Sequence, residues 1–130
     1  MATRVFLTKV FVRFAVRENI SAEALRQAVL RADRGLIDAN LGGGVIKQRV
    51  ARTGSGKSGG YRTIILYRLA SKAIFVYGFA KKDRANIDDR ELREYRDSGR
   101  MMLSYDDLAV AEMLLSGKWR EITNDDQDLS

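Results

Sequence analysis

Leu41-Gly-Gly-Gly-Val-Ile-Lys-Gln-Arg-Val-Ala-Arg52 is the stretch on which the fold turns. Three consecutive glycines close a loop, and a run of strand length follows over Val45–Arg52. Successive side chains of a strand point to opposite faces, so Lys47 and Arg49 share one face of that run and Gln48 and Arg52 the other. Two further runs, Tyr61–Arg68 and Ala73–Lys81, are rich in Ile, Val, Tyr and Phe. The polar loop Thr53–Gly60 joins the first two runs and the short stretch Leu69–Lys72 the second two. Neither connection is long enough for a crossover, which predicts an antiparallel meander.

Upstream, Thr3–Thr8 reads as an opening strand, and Phe11 and Phe14 sit three apart as on one helical face. Ser21 is a good N-cap for a second helix carrying Ala22, Leu25, Val29 and Ala32, and Gly35 suits the position just past its end. The pair predicts an N-terminal helical hairpin. Downstream, Asp88 or Asp89 caps a helix holding Leu92 and Tyr95, which Gly99 is expected to interrupt. Ser104 through Asp107 matches a capping box for a last helix with Tyr105, Leu108, Ala111 and Leu115. Lys118–Ile122 reads as a short extended piece anchored by Trp119, and the acidic residues 123–130 as a frayed, disordered tail. The expectation is a single α+β domain over residues 1–122, with the hairpin packed on a small antiparallel sheet and the C-terminal helices following.

Composition narrows the chemistry. The 130 residues include no Cys and no His. Disulfides, thiolate metal sites, cysteine nucleophiles and every Ser-His relay are excluded, leaving Lys, Arg, Tyr, Asp, Glu, Ser and Thr to act. No convincing carboxylate cluster offers a metal site, so no cofactor is expected. The acids of Asp88–Asp97 read as a solvated helix face. The stretch Met1–Val16 is broken by Arg4, Lys9 and Arg13, which suits neither a signal peptide nor a membrane span, so a cytoplasmic protein is expected.

Charge is unevenly placed. Residues 1–70 carry 13 Lys and Arg against 4 Asp and Glu, whereas residues 71–130 carry 10 against 13. From Lys47 to Arg84 there are ten cations and one acid, Asp83, the footprint of a polyanion binder. Gly54-Ser55-Gly56-Lys57-Ser58 is not a Walker A loop, because Ala51 stands where its first glycine belongs and a strand, not a helix, follows. The sharper signal lies on the strands: Lys47 and Arg49, then Arg62, then Lys81 and Lys82 can converge on one side of a meander. Like charges on adjacent strands cost stability, so a fold that keeps them together has a partner for them. Protection of a sheet edge would explain one such lysine but not several cations from three strands. Tyr61, Tyr67 and Tyr77 read first as packing, and second as groups for base stacking or proton transfer.

With Gly56-Lys-Ser-Gly-Gly-Tyr-Arg62 and Tyr77-Gly-Phe-Ala-Lys81 added to the opening stretch, the sequence resembles the RelE/HigB-type toxins of bacterial type II toxin–antitoxin modules. It is similar to the subgroup with a G-G-G…K-x-R-V-A-R…G-K-S-G-G-Y-R signature, over roughly residues 4 to 103, with Ser104–Ile122 covered least. The resemblance implies a metal-independent, ribosome-dependent mRNA endonuclease in which a 2′-OH attacks its own 3′ phosphate. It also implies a cognate antitoxin, usually a small helix-turn-helix protein. By motif, Lys47, Arg49, Arg62 and Lys82 take catalytic positions, with Arg52, Lys57, Tyr61, Lys81 and Arg84 in the RNA- or phosphate-binding surround. Ile87-Asp88 stands where the best-studied branch has a catalytic tyrosine. The general base is therefore either Tyr77 or Lys47. The competing readings are a non-catalytic toxin of the superfamily that poisons DNA gyrase, and an inactive antitoxin-binding module.

Overall fold

A computed structural model describes residues 2–51, 60–126 and 129. The chain runs β1 (Arg4–Thr8), α1 (Lys9–Arg17), α2 (Ala22–Asp33), β2 (Ala39–Gly42), β3 (Val45–Val50), β4 (Tyr61–Arg68), β5 (Lys72–Ala80), α3 (Asp89–Met102), α4 (Asp107–Leu115) and β6 (Trp119–Ile122). One six-stranded sheet has the order β2-β3-β4-β5-β1-β6. The β3-β4-β5 meander is antiparallel, as its short connections require. The sheet as a whole is mixed, because β1 lies parallel to β5 with Phe6 opposite Ile74. Connection lengths inside the meander do not constrain that pairing, since the crossover from β1 to β5 is everything between them. β2 also forms inside what reads as a loop, pairing Ala39 with Lys47.

Alternation divides the sheet's side chains between two cores. Val5, Leu7, Ile46, Val50, Ile65 and Phe75 face α1 and α2. Phe6, Val45, Ile64, Leu66 and Ile74 face the side where α3 and α4 pack. Ser21 accepts from Ala24 N to cap α2, and Gly35 takes φ +83° just past its end. Fully buried Gln48 ties β3 to that layer. Its amide donates to the Ala28 and Leu36 carbonyls, each at 3.0 Å, and accepts from Asp38 N at 2.9 Å, so all three bonds offset its burial.

The C-terminal helices depart from the sequence reading in three ways. Gly99 does not interrupt α3, which runs through it. There the absent side chain lets the helix approach the Gly43 carbonyl, to which a Cβ would stand at 3.3 Å. Gly42, Gly43 and Gly44 all hold positive φ in the β2–β3 turn, and α3 crosses that turn with Arg96 donating to Leu41 O. Asp106, not Ser104, caps α4, its carboxylate accepting from Ala109 N at 2.9 Å. Finally, α4 buries Val110 instead of the expected stripe, leaving Leu108 77% and Leu115 88% exposed.

Lys72 is buried under α3 and α4, donating to Leu103 O and Tyr105 O, and that burial, followed by Arg68 and Arg4, pulls its ammonium below the usual lysine range. The described part of the acidic tail lies on the fold: Arg26 donates to Thr123 O and Asp126 O, and Leu129 is buried. Among the described residues, no helix is long and apolar enough to cross a membrane.

Candidate RNA-cleaving face

Register builds the site. Lys47 on β3 stands opposite Ile64 on β4, which stands opposite Tyr77 on β5. One step along, Arg49 stands opposite Arg62, which stands opposite Phe79. A bulge lies between these rows and the rest of the meander: Ile64 pairs with Tyr77 and Ile65 with Phe75, leaving Val76 as the extra residue. The bulge lets Val76 and Tyr77 both contribute to the α3 side. Lys47, Arg49, Arg62 and Tyr77 thus come together from three strands.

The three cations are half-buried. Among the described residues, no carboxylate pairs with Lys47, Arg49, Arg62, Lys81 or Lys82. Among the described residues, Lys47 Nζ reaches only Asn86 Oδ1, at 3.5 Å. Arg49 is steered by its neighbours: its amide donates to Asp38 Oδ2 at 2.6 Å, and its Nε passes Gly60 so closely that a Cβ there would stand at 3.0 Å.

Arg84 is the exception among these cations. Glu91, at the start of α3, accepts from Arg84 Nη1 at 3.1 Å and from Nη2 at 2.7 Å. Nη1 also donates to the Tyr77 hydroxyl at 3.1 Å, and Nε to Asn86 O at 2.9 Å. The guanidinium lies 5.7 Å from the ring centres of both Tyr77 and Phe79. Most of its N–H groups are therefore committed within the protein, and the Glu91 and Tyr77 hydrogen bonds raise its pKa further above the ordinary arginine value. Glu91 is in turn held below the usual carboxylate range, chiefly by Arg84. Tyr95 stacks on Tyr77 at 6.4 Å, and burial, then the Glu91 charge, push its hydroxyl up to about 12.

The other residues singled out from the sequence fall elsewhere. Lys81 and Lys82 are exposed on the turn just beyond β5, next to the rows but not in them. Tyr61 is buried on the opposite face, where its hydroxyl donates to Glu18 Oε1 at 3.0 Å and its ring meets Phe14 edge-on. Tyr67 also belongs to that side, donating to Asp33. Arg52 and Lys57 lie outside the described residues. Sequence reading missed Asn86, Glu91 and Tyr95. Glu91, read from the sequence only as part of a solvated helix face, closes a capping box with Asp88, three residues before it. Nothing in that spacing signals its second role, as the clamp on Arg84.

Among the described residues, no group of three carboxylates is placed to hold a metal ion. What the face offers is a row of fixed cations, suited to the charged oxygens of a phosphodiester, beside a phenol. No curated protein matches the chain. A family model described as the RelE toxin of the RelE/RelB toxin–antitoxin system matches residues 3–122, nearly the whole chain and every element that builds this face, and on that match the chain belongs to the RelE toxin family.

Proposed function

We propose that this RelE-type toxin is a metal-independent, ribosome-dependent mRNA endonuclease acting in the cytoplasm. The observation that carries the reading is the grouping of Lys47, Arg49 and Arg62, none paired with a carboxylate among the described residues, around Tyr77. In the proposed reaction the 2′-OH of the nucleotide before the cut loses its proton to a base and attacks the adjacent phosphorus. The bond from phosphorus to the 5′ oxygen breaks, and that oxygen leaves with a proton. The products are a 2′,3′-cyclic phosphate and a free 5′-OH. Arg62 and Arg49, fork-shaped donors facing each other across two strands, would hold non-bridging oxygens and stabilise the added charge. Tyr77 is the proposed base: Arg84 donates to its oxygen, which places an N–H where negative charge would form. Lys47, on the same row, is placed for the leaving oxygen, and Lys82 and Lys81 for the flanking backbone.

The cognate antitoxin is proposed to be a small helix-turn-helix protein that covers this basic face. A net charge of +6, concentrated on the first 70 residues, supports an acidic binding segment. Mapping of mRNA ends on programmed ribosomes tests the function, with EDTA added after ribosome integrity has been verified. Cleavage inside the ribosome-bound message, leaving 5′-OH ends and abolished in Arg62→Ala, is expected. Arrest of DNA supercoiling with intact message would replace this reading by gyrase inhibition.

A further inference from the structure

On the far side of Tyr77 from Lys47, the sheet ends early. β1 pairs with β5 only as far as Leu7 opposite Phe75; Thr8 then caps α1, donating its hydroxyl to Phe75 O at 3.2 Å and accepting from Phe11 N. Past that point no strand of the described residues pairs with the outer edge of β5, and α1 lies alongside it. Between them is a notch of about 170 Å³ lined by Val10, Arg13, Phe14 and Arg17 of α1 and by Tyr77 and Gly78 of β5. Val10 is 58% exposed there, an apolar side chain at the mouth of a basic cleft.

Spacing makes the rim cationic. Lys9, Arg13 and Arg17 recur every four residues, so they stand on one side of α1, and all three are exposed. Among the described residues, Lys9 and Arg13 pair with no carboxylate, and exposed Arg17 meets only its half-buried neighbour Glu18, at 3.4 Å. The Arg17 guanidinium also lies 5.6 Å from the Phe14 ring. Tyr77 belongs both to this notch and to the row that starts at Lys47, so the two basic surfaces are continuous across one strand.

We propose that the notch between α1 and the open edge of β5 is a second RNA contact. A nucleotide flanking the reactive phosphate lays its base against Val10 and Tyr77, above the buried Phe14 ring, and sets its phosphates on Arg13 and Arg17. The inference rests on the reading of the Lys47–Arg62 face as the RNA-cleaving surface. It adds a subsite that shares the Tyr77 ring with the reacting centre, while Val10, Arg13 and Arg17 hold single-stranded RNA away from the reacting atoms. The combination fits single-stranded nucleic acid because apolar and aromatic groups accept a base face while adjacent guanidinium groups take the backbone. It also accounts for three cations on a short helix whose other face is committed to the core.

The test measures binding of the full chain to a short fluorescein-labelled single-stranded RNA by anisotropy across a potassium chloride series. The double variant Arg13→Gln/Arg17→Gln is compared with Arg90→Gln/Arg93→Gln, an equal loss of charge on exposed α3 positions. Losing two phosphate contacts lowers the slope of log affinity against log salt by about 1.4, whereas the α3 control leaves it unchanged. On programmed ribosomes, the α1 variant needs more toxin for half-maximal cleavage, with little change in the saturated rate. A slope that falls equally in both variants, or in neither, overturns the proposal. So does an α1 variant that keeps its RNA slope but escapes an acidic protein antitoxin, since the stripe would then belong to a protein interface. If the slope falls as expected while the parent chain cleaves no message, the notch stands and the endonuclease reading fails.

Discussion

Arg49 and Arg62 stand directly opposite each other on β3 and β4, two guanidinium groups on one face of the sheet. Like charges so placed oppose folding by roughly 0.2–1 kcal/mol, a cost the fold carries for the sake of the site. Arg49→Thr should therefore raise the unfolding free energy by about 0.5 kcal/mol in a urea titration while lowering cleavage. Arg62→Ala should lose on the order of 100- to 1000-fold in single-turnover rate, the usual consequence of removing one preorganised charge donor. Arg62→Lys should remain impaired, because an ammonium keeps the charge without the two-pronged geometry. An Arg62→Ala protein that is folded by circular dichroism and cleaves at the parent rate would move the site to another element.

Tyr77→Phe tests the base directly. The ring contacts with Phe79 and Tyr95 survive the change and only the hydroxyl that meets Arg84 is lost. Single-turnover cleavage should fall by about 10²- to 10⁴-fold with the salt slope of RNA binding unchanged. Glu91→Gln should give a smaller loss, since Arg84 keeps its bonds to Asn86 and Tyr77. The clamp also has a pH sign. Glu91 titrates below its unfolded value, so its contribution is present above the ordinary glutamate range and disappears as acid protonates it in the folded state. Glu91→Gln should flatten that acid limb of the thermal unfolding curve.

How far the sequence foretold this site follows from which residues act through local pattern. Alternation over Val45–Val50 placed Lys47 and Arg49 together because a strand's period of two is a backbone property. The meander supplied Arg62 because short connections leave one arrangement. Tyr61 and Arg62 are adjacent, and the same alternation that brings Arg62 to the site sends Tyr61 into the opposite core. The parallel β1–β5 pairing, the Glu91–Arg84 clamp and the exposed stripe of α4 were not legible. Each depends on how distant elements meet: burial selected Val110 over Leu108, although both are apolar. The bulge at Val76, which brings Tyr77 to the α3 side, likewise has no signature in the residues themselves.

Alkaline titration separates the tyrosines. Tyr95 is pushed up to about 12 by burial and Glu91, and Tyr67 is raised by burial and by its hydrogen bond to Asp33. For a phenol raised in the folded state, the stabilising contribution is complete below the unfolded value near 10 and is lost as pH rises through the folded one. Phenolate absorbance should therefore show late steps from Tyr67 and Tyr95, and Tyr95→Phe should remove one of them. Release of every phenol together near pH 10 in a protein still folded would contradict the packing of Tyr95 against Tyr77.

Gly78→Ala probes the support of the notch. A Cβ at Gly78 would stand 2.4 Å from Phe14 Cε2 and 2.7 Å from Cδ2, so one of the two must move. Phe14 has little room to retreat: its ring lies edge-on to Tyr61 at 5.6 Å and at the same distance from Phe11. The added methyl must therefore displace α1 from β5, and overpacking of this kind costs about 1–3 kcal/mol. Chemical denaturation should record that loss, and RNA affinity should fall with it, because Arg13 and Arg17 ride on the displaced helix. Phe14→Leu, destabilising alone, should relieve the clash. The double variant should then be more stable than the sum of the single changes by at least about 0.5 kcal/mol, the coupling expected of residues in direct contact. Additive losses would mean that α1 and β5 do not meet through this pair, and the notch they frame would lose its floor.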